Sequence, residues 1–192
     1  MSTIHSPGWR HAAWLALPLA VGAALAAGLY AFGTEHVPDY SGTALFGRTA
    51  TDTLSLKSWL ATGLLALAAV QLVLALWIYG KLPRLGPRRG GMRTAHRVVG
   101  VAALLVTLPI AYHCAFAYGV QTSYGTRVAV HSLAGCFFYG IFAVKVLSVR
   151  AKGLPDWTLP VIGGLVFAAL IALFLTSSVW FFTSSDAPRP IF

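Results

Sequence analysis

The sequence predicts an all-α fold: a polytopic bundle of five transmembrane helices, with the N-terminus cytoplasmic and the C-terminus outside. Three observations carry this. Of the 192 residues, 57% are hydrophobic and only 10% are charged, where a soluble domain carries about a quarter charged. The mean hydropathy is +0.73, and a domain of this size cannot hide that much apolar surface from water. Five separate apolar stretches each reach the ~20 residues needed to cross a ~30 Å hydrocarbon core as helix. A soluble enzyme, a disordered chain and a disulfide scaffold are all excluded by this composition. Open sheets are excluded as well, because their edge hydrogen bonds would go unmet in lipid.

The spans run roughly Ala12–Phe32, Leu56–Tyr79, Ala95–Tyr118, Val128–Val149 and Leu159–Phe182. The first follows Arg10 and two histidines and resembles a secretory signal peptide. Its apolar run is longer than the usual 7–15 residues of such a leader, so it is read as a span, with cleavage as the alternative. The connection to the second span, Gly33–Ser55, is polar and contains Pro38. Gly80 to Pro87 breaks the helix after the second span. Gly119 and Gly125 bracket a short turn after the third. Gly153 and Pro155 close the fourth, and Pro160 stands near the first turn of the fifth, where its missing N–H matters least. Residues 1–192 therefore form one integral membrane domain, without a tandem repeat.

Charge assigns the orientation. Arg10, Lys81, Arg84, Arg88, Arg89, Arg93, Arg97, Lys145, Arg150 and Lys152 fall on one side with a single acid, Asp156. Arg48, Lys57, Arg127 and Arg189 fall on the other, balanced by Glu35, Asp39, Asp52 and Asp186. The net charge of +9 is therefore a topological signal and not a nucleic-acid surface. It marks the basic face as cytoplasmic and attractive to anionic lipid headgroups.

All five acids lie outside the predicted spans, which argues against acid/base catalysis or a carboxylate relay within the membrane. The informative residues are histidines. There are six: His5, His11, His36, His96, His113 and His131. An ionisable group inside a span is a functional candidate by default. His113 and His131 each lie ~5–8 Å below the outer boundary, at 1.5 Å per residue. The short turn between their spans makes those helices antiparallel neighbours. Two imidazoles at one depth on adjacent helices can ligate one haem iron from its two faces. Gly135 stands one turn deeper than His131 on the same helix face and leaves room for a flat macrocycle. The competing reading is that the two histidines satisfy backbone carbonyls or each other. A different metal is the third possibility; zinc would want four ligands, and only Cys114 is added at this depth.

His96 and Gly100 repeat the spacing at the cytoplasmic end and suggest a second, inner haem, whose other ligand would have to be His11 or a non-histidine residue. Lys145 follows His131 by 14 residues, within about 40° of a whole number of turns. It can snorkel, pair with a haem propionate or ligate iron. Against an inner haem, His96 and His113 are about 100° out of phase on an ideal helix, unless Pro109 kinks it. Cys114 and Cys136 differ too much in depth for a disulfide and read as packing thiols. Gln71, alone in its span, reads as an interhelical hydrogen-bonding group. Trp59, Trp77, Trp157 and Trp180 form an aromatic belt.

The segments Ala-His-Arg-Val-Val-Gly (95–100) and His-Ser-Leu-Ala-Gly (131–135) resemble the membrane cytochromes b, loosely the cytochrome b561-type bundle. That resemblance covers the third and fourth spans. It implies haem b, with His113 and His131 as the matching ligands. The chain departs from the two-haem pattern in lacking a clear fourth transmembrane histidine. Over most of residues 12–182 the chain also resembles an uncharacterised family of five-span bacterial membrane proteins. The matching segments are Leu-Ser-Leu-Lys-Ser-Trp-Leu-Ala-Thr (54–62), Leu-Trp-Ile-Tyr-Gly (76–80), Thr-Leu-Pro-Ile-Ala-Tyr-His-Cys (107–114) and His-Ser-Leu-Ala-Gly-Cys-Phe-Phe-Tyr-Gly (131–140). This likeness carries no established activity.

The expected function is electron transfer through haem b in a bacterial plasma membrane, exchanging electrons with quinone or a redox partner subunit. A cofactor-free membrane anchor or assembly subunit is the alternative. A small transporter is the third reading; the missing intramembrane acids and internal repeats count against it.

Overall fold

The computed structural model describes residues 8–39, 45–87, 90–151 and 154–187. His5, Arg88, Arg89, Lys152 and Arg189 lie outside the described residues. Among the described residues there is no strand. Five helices are long and apolar enough to cross a membrane, as the sequence predicts. Helix α1 is Gly8–Glu35, α2 Ala50–Ile78, α3 Met92–His113, α4 Thr126–Ser148 and α5 Thr158–Phe174. Two of them continue through a single π turn. After α3 comes Cys114–Tyr118; after α5 comes Leu175–Val179, which leads into a last α turn, Trp180–Thr183. Many large apolar side chains point outward, among them Leu25, Val73, Leu105, Val161 and Leu165. That is how helices packed by few contacts and bathed in lipid present themselves, and it supports contact with a bilayer.

One boundary differs from its expectation in a way that matters. Helix α2 begins at Ala50, six residues before Leu56. The cause is an N-cap: Thr49 Oγ1 accepts from the Asp52 backbone N–H at 3.2 Å and donates to Asp52 Oδ2 at 2.7 Å. Composition marks where lipid-like residues start, whereas the cap marks where the helix starts. One expectation is corrected as a result: Asp52 lies in the first turn of α2 rather than outside it. Lys57, the second residue of the expected span, lies two turns into the helix and is buried.

By their contacts the described residues group into two compact units. The first comprises Met1–His36 and Gly119–Leu173, so it holds α1, α4 and most of α5. Here α1 and α4 approach through glycine. A Cβ built on Gly22 would stand 2.6 Å from the Gly140 carbonyl oxygen, and one on Gly140 would stand 2.7 Å from the Gly22 carbonyl oxygen. Small residues permit such a backbone approach, which drives helix association in lipid, where burying apolar surface gains nothing. Helix α4 also packs on α5, through Ile141, Val144, Ile162 and Val166. Beyond α1, the Val120 N–H donates to the Gly33 carbonyl at 2.7 Å. Gly119, at φ 65°, makes the left-handed turn that allows this, and a Cβ there would meet Gly33 O at 2.5 Å. On the same connection, the Gln121 N–H donates to Ser132 Oγ at 3.2 Å.

The second unit comprises Val37–Tyr118 and Phe174–Phe192. Helices α2 and α3 form its antiparallel pair. Trp77 Nε1 donates to the Gly86 carbonyl at 3.1 Å, pinning the connection between them. At the other end, the Leu45 N–H donates to the buried Thr53 Oγ1 at 3.2 Å. Ser178, in the second π turn, donates to the Ser58 carbonyl at 3.1 Å, and Phe182 packs edge-on against Trp59.

The Gly22–Gly140 crossing yields a direct test. Gly22→Val should destabilise the protein by about 1–3 kcal/mol, the usual range for forced overpacking. Gly28→Ala, where no atom lies within 4 Å of the added Cβ, should be neutral or stabilising by up to about 1 kcal/mol. Thermal unfolding in one detergent would compare the two. Equal effects would show that α1 and α4 do not meet at these glycines.

Candidate functional site

Lys57 and His113 form the most unusual polar cluster among the described residues. The cap at Thr49 sets the phase of α2, which puts Thr53 and Lys57 on one face, one turn apart. Ser58 lies beside them, and all three are buried. Lys57 is 8% exposed and His113 4%. Lys57 Nζ lies 3.0 Å from His113 Nδ1, 3.8 Å from Cys114 Sγ and 4.7 Å from the centre of the Tyr118 ring. The Tyr118 ring in turn meets the His113 ring edge-on, with centroids 5.2 Å apart. His113 ends α3, and Cys114 and Tyr118 bound the π turn that comes after it. The π turn widens the helix by one residue and gathers residues 113, 114 and 118 around one ammonium.

The energetics of this cluster are asymmetric. Moving a charge out of water costs several kcal/mol. The partners of Lys57 are an imidazole nitrogen, a thiol and an aromatic face; none is a carboxylate. A charge-assisted hydrogen bond recovers about 1.5–3 kcal/mol, and a desolvated cation–π contact about 2 kcal/mol. An ammonium has donors and no acceptor. Against an ammonium, Nδ1 accepts and a neutral ring carries its proton on Nε2; against a neutral amine, the ring proton sits on Nδ1 and the amine accepts.

The residues singled out in the sequence are distributed over both units. His113, His96 and Gly100 belong to the unit of α2 and α3; His131, Gly135 and Lys145 belong to that of α1 and α4. His131 is the sixth residue of α4 and is half-buried. At Gly135 a Cβ would meet only Leu173, at an ordinary 3.9 Å, so the glycine leaves space beside α4. Gly100 is different. A Cβ there would stand 3.2 Å from Gln71 Nε2, and Gln71 donates to the His96 carbonyl. Gly100 thus serves the approach of Gln71, which makes the interhelical hydrogen bond expected of it. Lys145 is in the last turn of α4, half-buried. Cys114 and Cys136 are both free thiols. No group of three or more His, Cys, Asp or Glu that could hold a metal ion occurs among the described residues; a haem iron needs only two axial side chains.

Lys57 is the residue that composition conceals. A lysine near the start of an apolar run reads as a boundary. The signal that could have placed it is Thr-x-x-Asp at 49–52, a helix-start pattern. The π turns leave no comparable mark.

The hydrogen-bond direction can be measured. In cofactor-free protein, ¹⁵N spectra of labelled histidine should show His113 with a bare Nδ1 and a protonated Nε2. Lys57→Met should shift the Nδ1 resonance. A proton found on Nδ1 would mean that the lysine amine accepts and that the charge reading of the pair is wrong.

No curated protein matches this chain, and no solved structure does. The model of a family of unknown function, DUF6529, matches residues 15–189. With five apolar helices in the matched region and nearly its whole length covered, the chain belongs to that family.

Proposed function

We propose that this protein binds one haem b within the membrane and transfers electrons through it, and that His113 and His131 are the residues that would hold it. The observation that carries the reading is His113 itself: an imidazole buried at the end of an apolar span, where an ionisable group is a functional candidate. His131 enters from the sequence. It stands about 8 Å along its helix from the start of α4, as His113 stands about 8 Å from Tyr118. The space beside Gly135 suits a flat ring.

When bound, the haem supplies one-electron chemistry, cycling between ferric and ferrous iron. His113 and His131 supply the two nitrogen donors. Apolar surroundings would exclude water and tune the potential. Electrons would pass to or from quinone or a redox partner subunit. A second, inner haem through His96 with Lys145 is not proposed, since Gln71 fills the space at Gly100.

A second reading rests on the same contact. Lys57 satisfies His113 Nδ1 without any cofactor, as an anchor or assembly subunit would require.

A reduced-minus-oxidised absorption spectrum of the purified protein separates the two. The haem reading expects an α-band, lost in His113→Ala and in His131→Ala and retained in His36→Ala. Purified protein without iron or an α-band, or a band indifferent to both ligand substitutions, sinks it and favours the anchor.

The orientation is part of the proposal: N-terminus in the cytoplasm, C-terminus outside, in a bacterial plasma membrane. Alkaline phosphatase fused after Phe192 should be active, and fused after Arg93 inactive. The reverse pattern would invert the topology.

A further inference from the structure

We propose that one face of α3 is the seat of an anionic phospholipid, an inference that stands independently of the haem reading. Arg93, Arg97, Val101, Leu105, Leu108 and Tyr112 follow one another at spacings of three or four residues. They are therefore neighbours along one side of the helix, within about 120° of its circumference. Gly100, where Gln71 closes in, and the buried Met92 and Thr107 lie on another side. Arg93 and Arg97 are exposed. Val101, Leu105, Leu108 and Tyr112 are each 47–62% exposed. Two cations thus head an open apolar track.

The two parts of this face fit the two parts of a lipid. From Val101 to Tyr112 the track is about 16 Å long at 1.5 Å per residue, and one leaflet of a ~30 Å hydrocarbon core is about 15 Å deep. Acyl chains can lie along it through the whole leaflet. At the head, guanidinium forks match phosphate oxygens in pairs. The adjoining chain offers them no acid: no Asp or Glu occurs between Asp52 and Asp156. Asp52 itself stands at the far end of α2, roughly 40 Å along the helix. Lys81 and Arg84 are exposed as well, on a connection pinned at this end by the bond from Trp77 to the Gly86 carbonyl. A soluble phosphate would satisfy the arginines and leave the track unused. A zwitterionic lipid would cover the track and bring its own cation to the arginines. An anionic phospholipid suits both.

Native mass spectrometry reads this preference when the purified, delipidated full chain is titrated with phosphatidylglycerol and with phosphatidylcholine of the same acyl chains. The wild-type protein should bind phosphatidylglycerol about thirtyfold more tightly, the scale of two interfacial arginines. In Arg93→Gln/Arg97→Gln the two affinities should converge, chiefly through loss of phosphatidylglycerol. Arg48→Gln/Arg127→Gln, which removes as much charge elsewhere, should keep the preference. Retained binding of phosphatidylcholine shows that the double variant is folded; should it not fold, each single substitution should lower the preference about fivefold. Glycerol phosphate, which carries the anion without chains, should not compete. No preference in the wild-type chain, or an unchanged one in Arg93→Gln/Arg97→Gln, overturns the proposal, as does its loss in Arg48→Gln/Arg127→Gln. Competition by glycerol phosphate at the lipid's own concentration assigns the arginines to a soluble phosphate and overturns the lipid seat.

Discussion

Within a hydrocarbon slab there is no water to answer a polar group, and this structure is organised by that lack. Backbone groups are answered by the helices themselves. Hydroxyl side chains inside or beside the spans turn back to their own helix. Ser58 donates to the Leu54 carbonyl, Thr62 to that of Ser58, Thr107 to that of Leu104 and Thr183 to that of Val179. Polar groups that cannot be answered locally tie helices together: Gln71 reaches the His96 carbonyl, and Ser178 reaches that of Ser58. Lys57 is the most demanding of these groups, being a cation, and three side chains from one helix end are gathered to hold it. Association then depends on how closely backbones can approach, which is why glycines stand where α1 meets α4.

The two π turns acquire meaning in this light. Each adds one residue to a helical turn and rotates the rest of the helix by about 100°. Both lie in the unit built around α2. One sets His113, Cys114 and Tyr118 about Lys57; the other aims Ser178 at the carbonyl of the next residue, Ser58. Successive residues of α2 are thus engaged by the two irregular turns. Regular helices would present different faces, and the polar groups of α2 would be left to lipid.

Much of this is legible in the sequence, and the remainder is hidden for identifiable reasons. The five spans follow from apolar run length, since lipid imposes a length on every crossing. His113 stands out because an imidazole in such a run is rare. Lys57 reads as a boundary charge because it is the second residue of the apolar run; the cap formed by Thr49 and Asp52 starts α2 six residues earlier and leaves it two turns inside the helix, buried. Gly100 reads as room for a macrocycle because His-x-x-x-Gly looks alike at 96–100 and 131–135. What separates the two glycines is the neighbouring helix: Gln71 closes on Gly100, while only Leu173 borders Gly135. Local spacing cannot carry that distinction, because it depends on residues distant in the chain.

The unit of α1 and α4 is discontinuous along the chain, and this has a consequence for biosynthesis. Gly22 leaves the ribosome 118 residues before Gly140, and the intervening chain carries all of α2 and α3. At elongation rates of about 5–20 residues per second, α1 waits on the order of ten seconds for its partner, while α2 and α3 can already pair. A single apolar helix is stable alone in a bilayer, and helices associate afterwards. During that interval the glycine face of α1 is open to any other nascent or resident helix of similar relief. The order of emergence thus makes α1 the segment most exposed to mispairing during assembly, and the element an insertion chaperone would have most reason to shield.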